Sequence, residues 1–402
     1  MNSKKVLYGI QGEGRGHASR SLHIIDQLKR RGYDVCIFTG GDALSIIKEQ
    51  KIPYRNVPVF RFSHDRDGAV SIFHTFLSNF TQFLGVLLQS GRRYKSILRE
   101  VKNFDPDFII SDFEPYLSRI AYRLGIPLMV INHQNFLIES QLPRFRSIRK
   151  KVKLWLLQIF IRLFSCKPDR IIVSAFHHFQ VHPKSKAIFV GPYIPQNIFH
   201  KETSDGTHFT VYLKEPHYIE FILPVIKRMN HVQFDIFSNW DQIKKPLPDN
   251  SHIFYHPIHR KKFLNSLASS KALLTTAGNQ VIGEAIHLGK PILAFPKLRD
   301  LEQELNGKSL ATSGCGDYCQ FNDFSAQKMQ RFISQIPEFK KALLKKKADK
   351  LDYDGTALTL QLIDKFAIDI EAEKQEIITF KIEKIKMKFN PYRLRLGIYN
   401  IQ

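Results

Sequence analysis

The stretch ALLTTAGNQVIGEAIHLGKPILAF, residues 272–295, decides the fold of this chain. Residues 272–275 and 291–295 are short and largely apolar, which predicts two buried strands. Between them, residues 280–288 have the pattern of a helix that ends at Gly289. A strand, a helix and a strand in this order predict a parallel pair joined by a right-handed crossover.

The same alternation of strand and helix patterns extends in both directions from this segment. Further strands are predicted at residues 5–10, 35–38, 108–110, 128–131, 171–173, 188–190, 209–213, 234–237 and 252–255. The Gly-Pro-Tyr-Ile-Pro stretch at 191–195 separates the two series. The sequence therefore predicts an α/β fold with two Rossmann-like domains, 1–196 and 207–368, and a basic tail, 369–402, whose pattern indicates no particular fold.

The charge balance is strongly basic. The 402 residues include 60 Lys and Arg against 37 Asp and Glu, a formal net charge of +23. Such a charge attracts nucleic acid, an anionic membrane surface or phosphorylated substrates; the alternative is a basic surface without a specific partner. The sequence contains no recognised nucleic-acid-binding module, so we expect no specific nucleic-acid partner.

Cysteine and hydropathy patterns indicate a cytoplasmic protein. The four cysteines are scattered, which predicts reduced thiols, and no histidine cluster completes a zinc site. The apolar run at residues 6–10 is too short for a signal peptide, and no run reaches the roughly 20 residues of a membrane span. No metal or cofactor is expected.

A glycine-rich loop follows the first predicted strand. Gly12, Gly14 and Gly16 would let the backbone turn tightly and approach an acceptor or phosphate, and His17 comes directly after them. The loop matches neither a dinucleotide fingerprint nor a P-loop, and it could also be a structural turn. Because ligands bind at the carboxyl ends of parallel strands, His17 is a candidate general base.

Two carboxylates follow the predicted strand 108–110. Asp112 and Glu114 could each face the space between the domains and act as the base in place of His17. The alternative for Asp112 is a helix N-cap that accepts backbone N–H groups before Tyr116. The sequence leaves both alternatives open.

The second domain contains the stronger signal. The small residues before Asn279 would let a phosphate approach the N-terminus of the next helix. Glu284 lies about two turns into that helix, where its carboxylate could bind a ribose diol. Glu302 and Gln303 follow the next strand and could reach a sugar ring in the same crevice. The alternative is an ordinary strand-turn-helix unit with a solvated Glu284.

This donor block resembles the signature of nucleotide-sugar glycosyltransferases with the GT-B fold, in which two Rossmann-like domains face each other across a cleft. It is most similar to the family 28-like enzymes, which include a bacterial cell-wall N-acetylglucosaminyltransferase and plant galactolipid synthases. The motifs at 14–20, 111–115 and 132–134 resemble a bacterial and archaeal branch of that family. The resemblance extends over residues 5–315.

The resemblance implies a hexosyl- or N-acetylhexosaminyltransferase that uses a UDP-sugar or another nucleotide sugar. It assigns the diphosphate to the backbone of Ala277, Gly278 and Asn279, and the base to the backbone of Ile258. It assigns the ribose to Glu284, and the donor sugar to Glu302 and Gln303. It also implies inversion at the anomeric carbon without a bound metal.

Two apolar segments suggest a lipid or lipid-linked acceptor at the inner face of the cell membrane. Residues 146–170 combine basic and apolar side chains, with Lys151, Gln158, Arg162 and Ser165 in one narrow polar stripe; residues 72–88 repeat apolar side chains at helical spacing. The alternative for residues 146–170 is a helix that packs inside the domain. A nucleotide-sugar epimerase, a nucleic-acid-binding protein and a binding protein without catalysis remain rival hypotheses.

Overall fold

The computed structural model of the chain describes residues 3–13, 16–49, 52–61, 75, 77–242, 250–348 and 354–388. Within them, two separate sheets consist entirely of parallel pairings. Both sheets belong to one compact unit, Met1–Ala357, and the second unit is Leu358–Gln402. The predicted α/β fold is confirmed.

The first sheet has seven strands in the order β3-β2-β1-β4-β5-β6-β7. The strands are β1 (Lys5–Ile10), β2 (Asp34–Thr39), β3 (Tyr54–Asn56), β4 (Phe108–Asp112), β5 (Leu128–Asn132), β6 (Arg170–Ser174) and β7 (Ile188–Val190). The helices of this half are α1 (Gly16–Arg30), α2 (Ala43–Glu49), α3 (Phe80–Leu87), α4 (Gly91–Phe104), α5 (Pro115–Leu124), α6 (Phe136–Glu139) and α7 (Ile148–Phe164).

The second sheet has six strands in the order β10-β9-β8-β11-β12-β13. The strands are β8 (Phe209–Tyr212), β9 (Phe234–Ser238), β10 (Ile253–Pro257), β11 (Ala272–Thr276), β12 (Ile292–Phe295) and β13 (Gly316–Tyr318). The helices from the linker onward are α8 (Gln196–Phe199), α9 (Ile219–Ile226), α10 (Arg260–Ser269), α11 (Asn279–His287), α12 (Leu301–Thr312), α13 (Ala326–Ser334), α14 (Ile336–Ala348) and α15 (Gly355–Lys388).

Burial explains why the central strands read as apolar runs. Every residue of β4, β5 and β12 is buried, because helices cover both faces of each sheet. In such sheets the polar side chains that remain available for chemistry lie just beyond the carboxyl ends of the strands. The helices of both halves begin at these ends.

The ends of two predicted segments differ from what the sequence indicated. The tail, for which no fold was predicted, continues α15 as far as Lys388, and residues 389–402 lie outside the described residues. In the apolar segment 72–88, the structure describes α3 but not residues 72–74 and 76. No described helix is long and apolar enough to cross a membrane. The domain boundaries given by the sequence stay predictions.

Candidate functional site

A hydrogen-bonded histidine and aspartate lie at the carboxyl edge of the first sheet. β4 pairs directly with β1, so that Asp112 is level with Ile10, just before the loop that leads into α1. His17, in the first turn of α1, brings its Nδ1 to 2.8 Å from Asp112 Oδ1. The structure thus brings together two of the sequence-predicted candidates.

Two residues of α1 that were not among the sequence-predicted candidates hold Asp112 in place. Arg20 donates from Nε to Oδ2 at 2.8 Å and from Nη2 to Oδ1 at 2.5 Å, and the Ser21 hydroxyl donates to Oδ2 at 2.8 Å. Burial alone would raise the pKa of Asp112, but Arg20 and His17 hold that pKa well below its ordinary value. Asp112 is therefore a fixed anion.

The charge state of His17 follows from its surroundings. Burial lowers the pKa of His17 below its ordinary value, although the Asp112 carboxylate opposes that shift. His17 Nδ1 lies 2.8 Å from Asp112 Oδ1, which only accepts, and 2.8 Å from Arg20 Nη2, which only donates, so both neutral tautomers find a partner. In the tautomer with Nδ1–H, the ring donates to Asp112. Nε2 then carries the lone pair, and it has no hydrogen-bond partner among the described residues. Neutral His17 can therefore accept a proton at Nε2.

Glu114, the third candidate, has a different environment. It is the N-cap of α5, where its two carboxylate oxygens accept from the backbone N–H groups of Tyr116 and Leu117 at 3.0 and 2.7 Å. The alternative interpretation of Asp112 as the N-cap of this helix is therefore wrong, because Glu114 is the N-cap residue. Burial raises the pKa of Glu114 to about 7, and the two backbone bonds oppose that shift.

A left-handed residue separates the two carboxylates. Phe113 has φ +58°, a conformation that a bulky side chain adopts only under strain. The sharp turn directs Asp112 towards α1 and Glu114 towards α5, and Ser111 Oγ closes it by accepting from Glu114 N and donating to Glu114 O. A strained turn between two oppositely directed carboxylates is typical of a functional loop.

The glycines of the first loop have different environments. A Cβ on Gly12 would lie 2.4 Å from both Gly40 O and Val59 Cγ2, so Gly12 is required for close backbone packing. A Cβ on Gly16, the first residue of α1, would meet nothing within 4 Å. Gly14 lies outside the described residues. The proposed contact of this loop with an acceptor or phosphate stays a prediction.

The helix that follows β11 begins without a side-chain cap. Gly278 is the N-cap residue of α11, and no side chain accepts its first N–H groups. Ala277 is fully buried, and Asn279 accepts from Phe176 N at 3.1 Å and donates to Ser174 O at 3.2 Å. The start of α11 is thereby fixed against the first half of the chain.

Glu284 has a partner that the sequence did not indicate. Arg260, the first residue of α10, donates through Nη1 and Nη2 to the two oxygens of Glu284 at 2.8 and 2.6 Å. Gln280 donates to Oε1 at 3.0 Å, and the Glu284 side chain is only 1% exposed. In this structure Glu284 can therefore bind a ribose diol only after the Arg260 guanidinium moves away.

Glu302 and Gln303, the candidates for binding the donor sugar, lie in the first turn of α12. Asp300 caps this helix by accepting from Gln303 N at 3.0 Å. Gln303 Oε1 accepts from the backbone N–H of Lys297 at 3.1 Å. Glu302 is 28% exposed and lies 4.0 Å from the buried His133 of the first half. Burial, together with Asp300, raises the pKa of Glu302 above its ordinary value.

Two lysines flank the start of α11 and were not predicted from the sequence. Tyr212 pairs with Thr275, and Thr276 pairs with Phe295, so the segments after β8 and β12 lie on either side of the segment after β11. These two segments contain Lys214, 3.8 Å from Asp42, and Lys297, 2.7 Å from Glu215. Only the strand order reveals that the segments with these lysines lie on either side of the segment that contains Gly278.

Ile258 directly follows β10, the edge strand of the second sheet, and is half-buried. Among the described residues, no group of three His, Cys, Asp or Glu side chains could hold a metal ion. The cysteines are free and buried. The site therefore consists of basic side chains, carboxylates and one helix N-terminus without a side-chain cap.

Comparisons with known proteins relate this chain to glycosyltransferases. A family model described as Glycosyl transferase family 1 matches residues 4–337. A glycosyltransferase of Methanosarcina acetivorans, described as uncharacterized, is 26% identical over 345 residues, 78% of this chain and 84% of the relative. The Histophilus somni UDP-N-acetylglucosamine--N-acetylmuramyl-(pentapeptide) pyrophosphoryl-undecaprenol N-acetylglucosamine transferase is 20% identical over 92% of this chain and 99% of its own length.

Among solved structures, the spinosyn forosaminyltransferase SpnP superposes with a TM-score of 0.65 at 12% identity, over 91% of this chain and all of that chain. At this identity the likeness concerns the fold alone. The predicted GT-B fold is confirmed, and the matches favour neither the epimerase nor the nucleic-acid-binding hypothesis.

Proposed function

This chain belongs to Glycosyl transferase family 1, and we propose that it transfers a hexosyl or N-acetylhexosaminyl group from a UDP-sugar to an acceptor at a membrane surface. One observation carries the proposal: the His17–Asp112 pair and the uncapped start of α11 lie at the carboxyl edges of the two sheets. The first can activate an acceptor hydroxyl, and the second can bind a diphosphate.

His17 is the general base of this proposal. Its Nε2 removes the proton of the acceptor hydroxyl as the acceptor oxygen bonds to the anomeric carbon. Asp112 fixes the ring through Nδ1–H and stabilises the imidazolium that forms. Glu114 is a weaker candidate, because both its oxygens accept from the backbone of α5. A single displacement of this kind inverts the anomeric centre.

The departing nucleoside diphosphate is stabilised without a metal ion in this proposal. The backbone of Ala277, Gly278 and Asn279 lies at the positive end of the α11 dipole, where no side chain caps the first N–H groups, although Gly278 N donates to Thr276 O at 2.8 Å. Lys214 and Lys297, on either side, supply the positive charge that a divalent ion would otherwise provide. Binding would exchange their present carboxylate partners for phosphate oxygens.

The other donor contacts follow the resemblance. Ile258 would contact the base, and Glu302 and Gln303 in the first turn of α12 would bind the sugar. Glu284 would bind the ribose once Arg260 has moved from it, so the Arg260 guanidinium would be available to the diphosphate. Loss of the Glu284 carboxylate would then weaken nucleotide binding.

A lipid-linked acceptor is the favoured substrate class. α7 exposes Ile148, Val152 and Trp155 by 76, 50 and 59%. Phe83 of α3 packs on Phe160 of α7 with ring centroids 5.4 Å apart, so the two helices are neighbours. α3 exposes apolar side chains as well, namely Phe80, Leu84 and Leu87.

Cations accompany these exposed apolar side chains. Arg144, Arg146, Arg149 and Lys151 are exposed at the start of α7 or just before it. An apolar helix face beside basic side chains fits the surface of an anionic bilayer. The name of the Histophilus somni relative refers to a lipid-linked acceptor, which agrees with this proposal. We therefore propose that the protein acts at the inner face of the cell membrane, in glycolipid or cell-envelope synthesis.

The first test is a screen for donor binding. Thermal unfolding would be measured with UDP, GDP, dTDP and their sugars, since a ligand at 100 times its Kd adds about 2.7 kcal/mol of stability. The donor found would then be supplied with lipid acceptors, and transfer would be measured by release of the nucleoside diphosphate.

The second test separates catalysis from binding. His17→Ala should lower kcat by about 10²–10⁴-fold and leave the donor Kd unchanged. His23→Ala removes an imidazole from the same helix, away from Asp112, and should leave kcat unchanged. Retention of full activity in His17→Ala would exclude His17 as the base, and absence of donor binding in the wild type would exclude the donor site.

A further inference from the structure

A cavity of about 630 Å³ lies beside α7, outside the site described above. Its walls come from the segment that begins in α6, from one face of α7 and from the loop between β6 and β7. Leu154, Gln158 and Arg162 contribute the α7 wall, at intervals of four residues. The polar stripe that the sequence indicated on this helix thus provides two cavity residues, Gln158 and Arg162.

Hydrogen bonds hold the three walls together. His182 N donates to Glu139 O at 2.8 Å, and Gln141 N donates to Gln180 O at 2.7 Å. Gln158 Nε2 ties α7 to the same segment by donating to Leu137 O at 2.7 Å. Because backbone groups fix the rim on both sides, the cavity is preformed, which is typical of binding sites.

The charged groups of the cavity are mostly cations. Arg162 and Lys184 line it with exposed side chains, which make no ion pair with any described residue. The single acidic residue, Glu139, accepts from the Ser185 hydroxyl at 2.6 Å through Oε2. Two permanent positive charges therefore face one negative charge, and the cavity favours an anion.

The position of the cavity on α7 indicates which anion it binds. Trp155 precedes the cavity residues Gln158 and Arg162 by three and seven positions, so it lies on the same side of the helix and the exposed apolar face adjoins the cavity wall. A molecule whose anionic group enters the cavity can extend an apolar part along Trp155 and Val152. A phospholipid has this chemistry: a phosphate beside acyl chains.

We propose that this cavity binds the phosphate of an anionic phospholipid headgroup, with Arg162 and Lys184 as its cationic ligands. The guanidinium can bind two phosphate oxygens at once, and the lysine adds a second charge. The inference rests on the proposed membrane-side function, because the exposed face of α7 must approach a bilayer. Without this site, only the net positive charge of the surface would attract it to an anionic bilayer. The cavity adds a specific contact with one lipid headgroup.

The experiment compares vesicles of equal negative charge with and without phosphate in the anionic lipid. One set mixes phosphatidylglycerol into phosphatidylcholine, and the other mixes oleic acid into phosphatidylcholine at a pH that ionises it. Binding of the full chain is measured by sedimentation for the wild type, Arg162→Gln, Lys184→Gln and the double variant. Arg149→Gln is the matched control, because it removes an exposed cation of the same helix outside the cavity lining.

A general surface cation contributes roughly fivefold to binding of any anionic vesicle. Arg149→Gln should therefore weaken binding equally to both vesicle types. Arg162→Gln and Lys184→Gln should each weaken binding to phosphatidylglycerol vesicles by more than tenfold, and binding to oleate vesicles no more than the control does. Arg162→Lys should restore part of the phosphatidylglycerol binding. Unchanged urea midpoints would show that the variants fold.

Three results would overturn the inference. If the cavity variants lose no more phosphatidylglycerol binding than Arg149→Gln, there is no headgroup site. If soluble glycerol 3-phosphate binds the cavity and phosphatidylglycerol vesicles do not, the ligand is a free phosphate. If the wild type binds neither vesicle type, the proposed membrane-side function fails as well, whereas donor binding and transfer to a soluble acceptor would be unaffected.

Discussion

Asp112→Asn should destabilise the chain strongly, because it removes the counter-ion of a buried arginine. The Arg20 side chain is only 6% exposed, and its Nε and Nη2 donate to the two Asp112 oxygens at 2.8 and 2.5 Å. An asparagine offers one oxygen and no negative charge. The Arg20 guanidinium would then remain buried with an incomplete set of partners.

The expected loss of unfolding free energy is about 3 kcal/mol. Breaking a buried ion pair by removal of one partner costs about 3–5 kcal/mol, and the remaining amide oxygen places this case at the lower end. Removing both charges, in Asp112→Asn with Arg20→Met, should cost clearly less than the single change, because no unpaired charge is left.

The pH dependence follows from the depressed pKa of Asp112. Burial would raise that pKa, but Arg20 and His17 hold it below the unfolded value of about 3.9. The folded state therefore holds the proton less tightly than the unfolded state. The contribution is present above pH about 4 and is lost as the pH falls through the folded pKa. The difference between wild type and variant should be constant from pH 5 to 8 and shrink in acid.

The assay is urea unfolding followed by tryptophan fluorescence and by circular dichroism, for the wild type, both single variants and the double variant. If the fluorescence and circular dichroism transitions coincide, unfolding is two-state and a free energy of unfolding can be derived for each variant. A loss below about 1 kcal/mol for Asp112→Asn, or a double variant as unstable as the sum of the two single variants, would refute the reasoning.

Three further outcomes follow from the structure. Since neutral His17 is the proposed base and burial lowers its pKa, kcat should fall on acidification with a midpoint below pH about 6.5 in a pH-rate profile. Gly283→Val should destabilise the chain by about 1–3 kcal/mol in urea, because a Cβ there would lie 2.6 Å from Pro192 Cβ. Burial lowers the pKa of Lys290 to about 8, so the unfolded chain binds more protons than the folded chain between pH 8 and about 10.4. Urea midpoints relative to Lys290→Met should therefore rise over that range.

The layout of the fold followed from the sequence because its strands are buried on both faces. Runs such as Phe108–Asp112 and Ile292–Phe295 exclude water completely, and their composition reports that burial. The loops after such strands must meet at one edge, so His17 and Asp112 could be selected as candidates. Their hydrogen bond could not be predicted, because it depends on β4 lying beside β1, and strand order is not written in the local sequence.

Interactions over long chain separations explain what the sequence did not reveal. Arg260 precedes Glu284 by 24 residues, and no local pattern indicates that its guanidinium covers that carboxylate. Asp112 was a plausible cap by residue type, yet Glu114 caps α5 because Phe113 adopts a left-handed turn between them. Local residue preference did not decide between two carboxylates that are two positions apart.

The donor-sugar residues owe their position chiefly to apolar packing with the first half of the chain. α12 is also linked to α7 by Lys150 and Glu304, at 2.7 Å, but Lys150 is 45% exposed, and such a pair contributes at most about 1 kcal/mol. Leu301 and Leu305 of the same helix are buried in the hydrophobic core of the first half, and each contributes about 1.5–3 kcal/mol. Because Glu302 lies between these two leucines, its place opposite His133 is set by the burial of its neighbours.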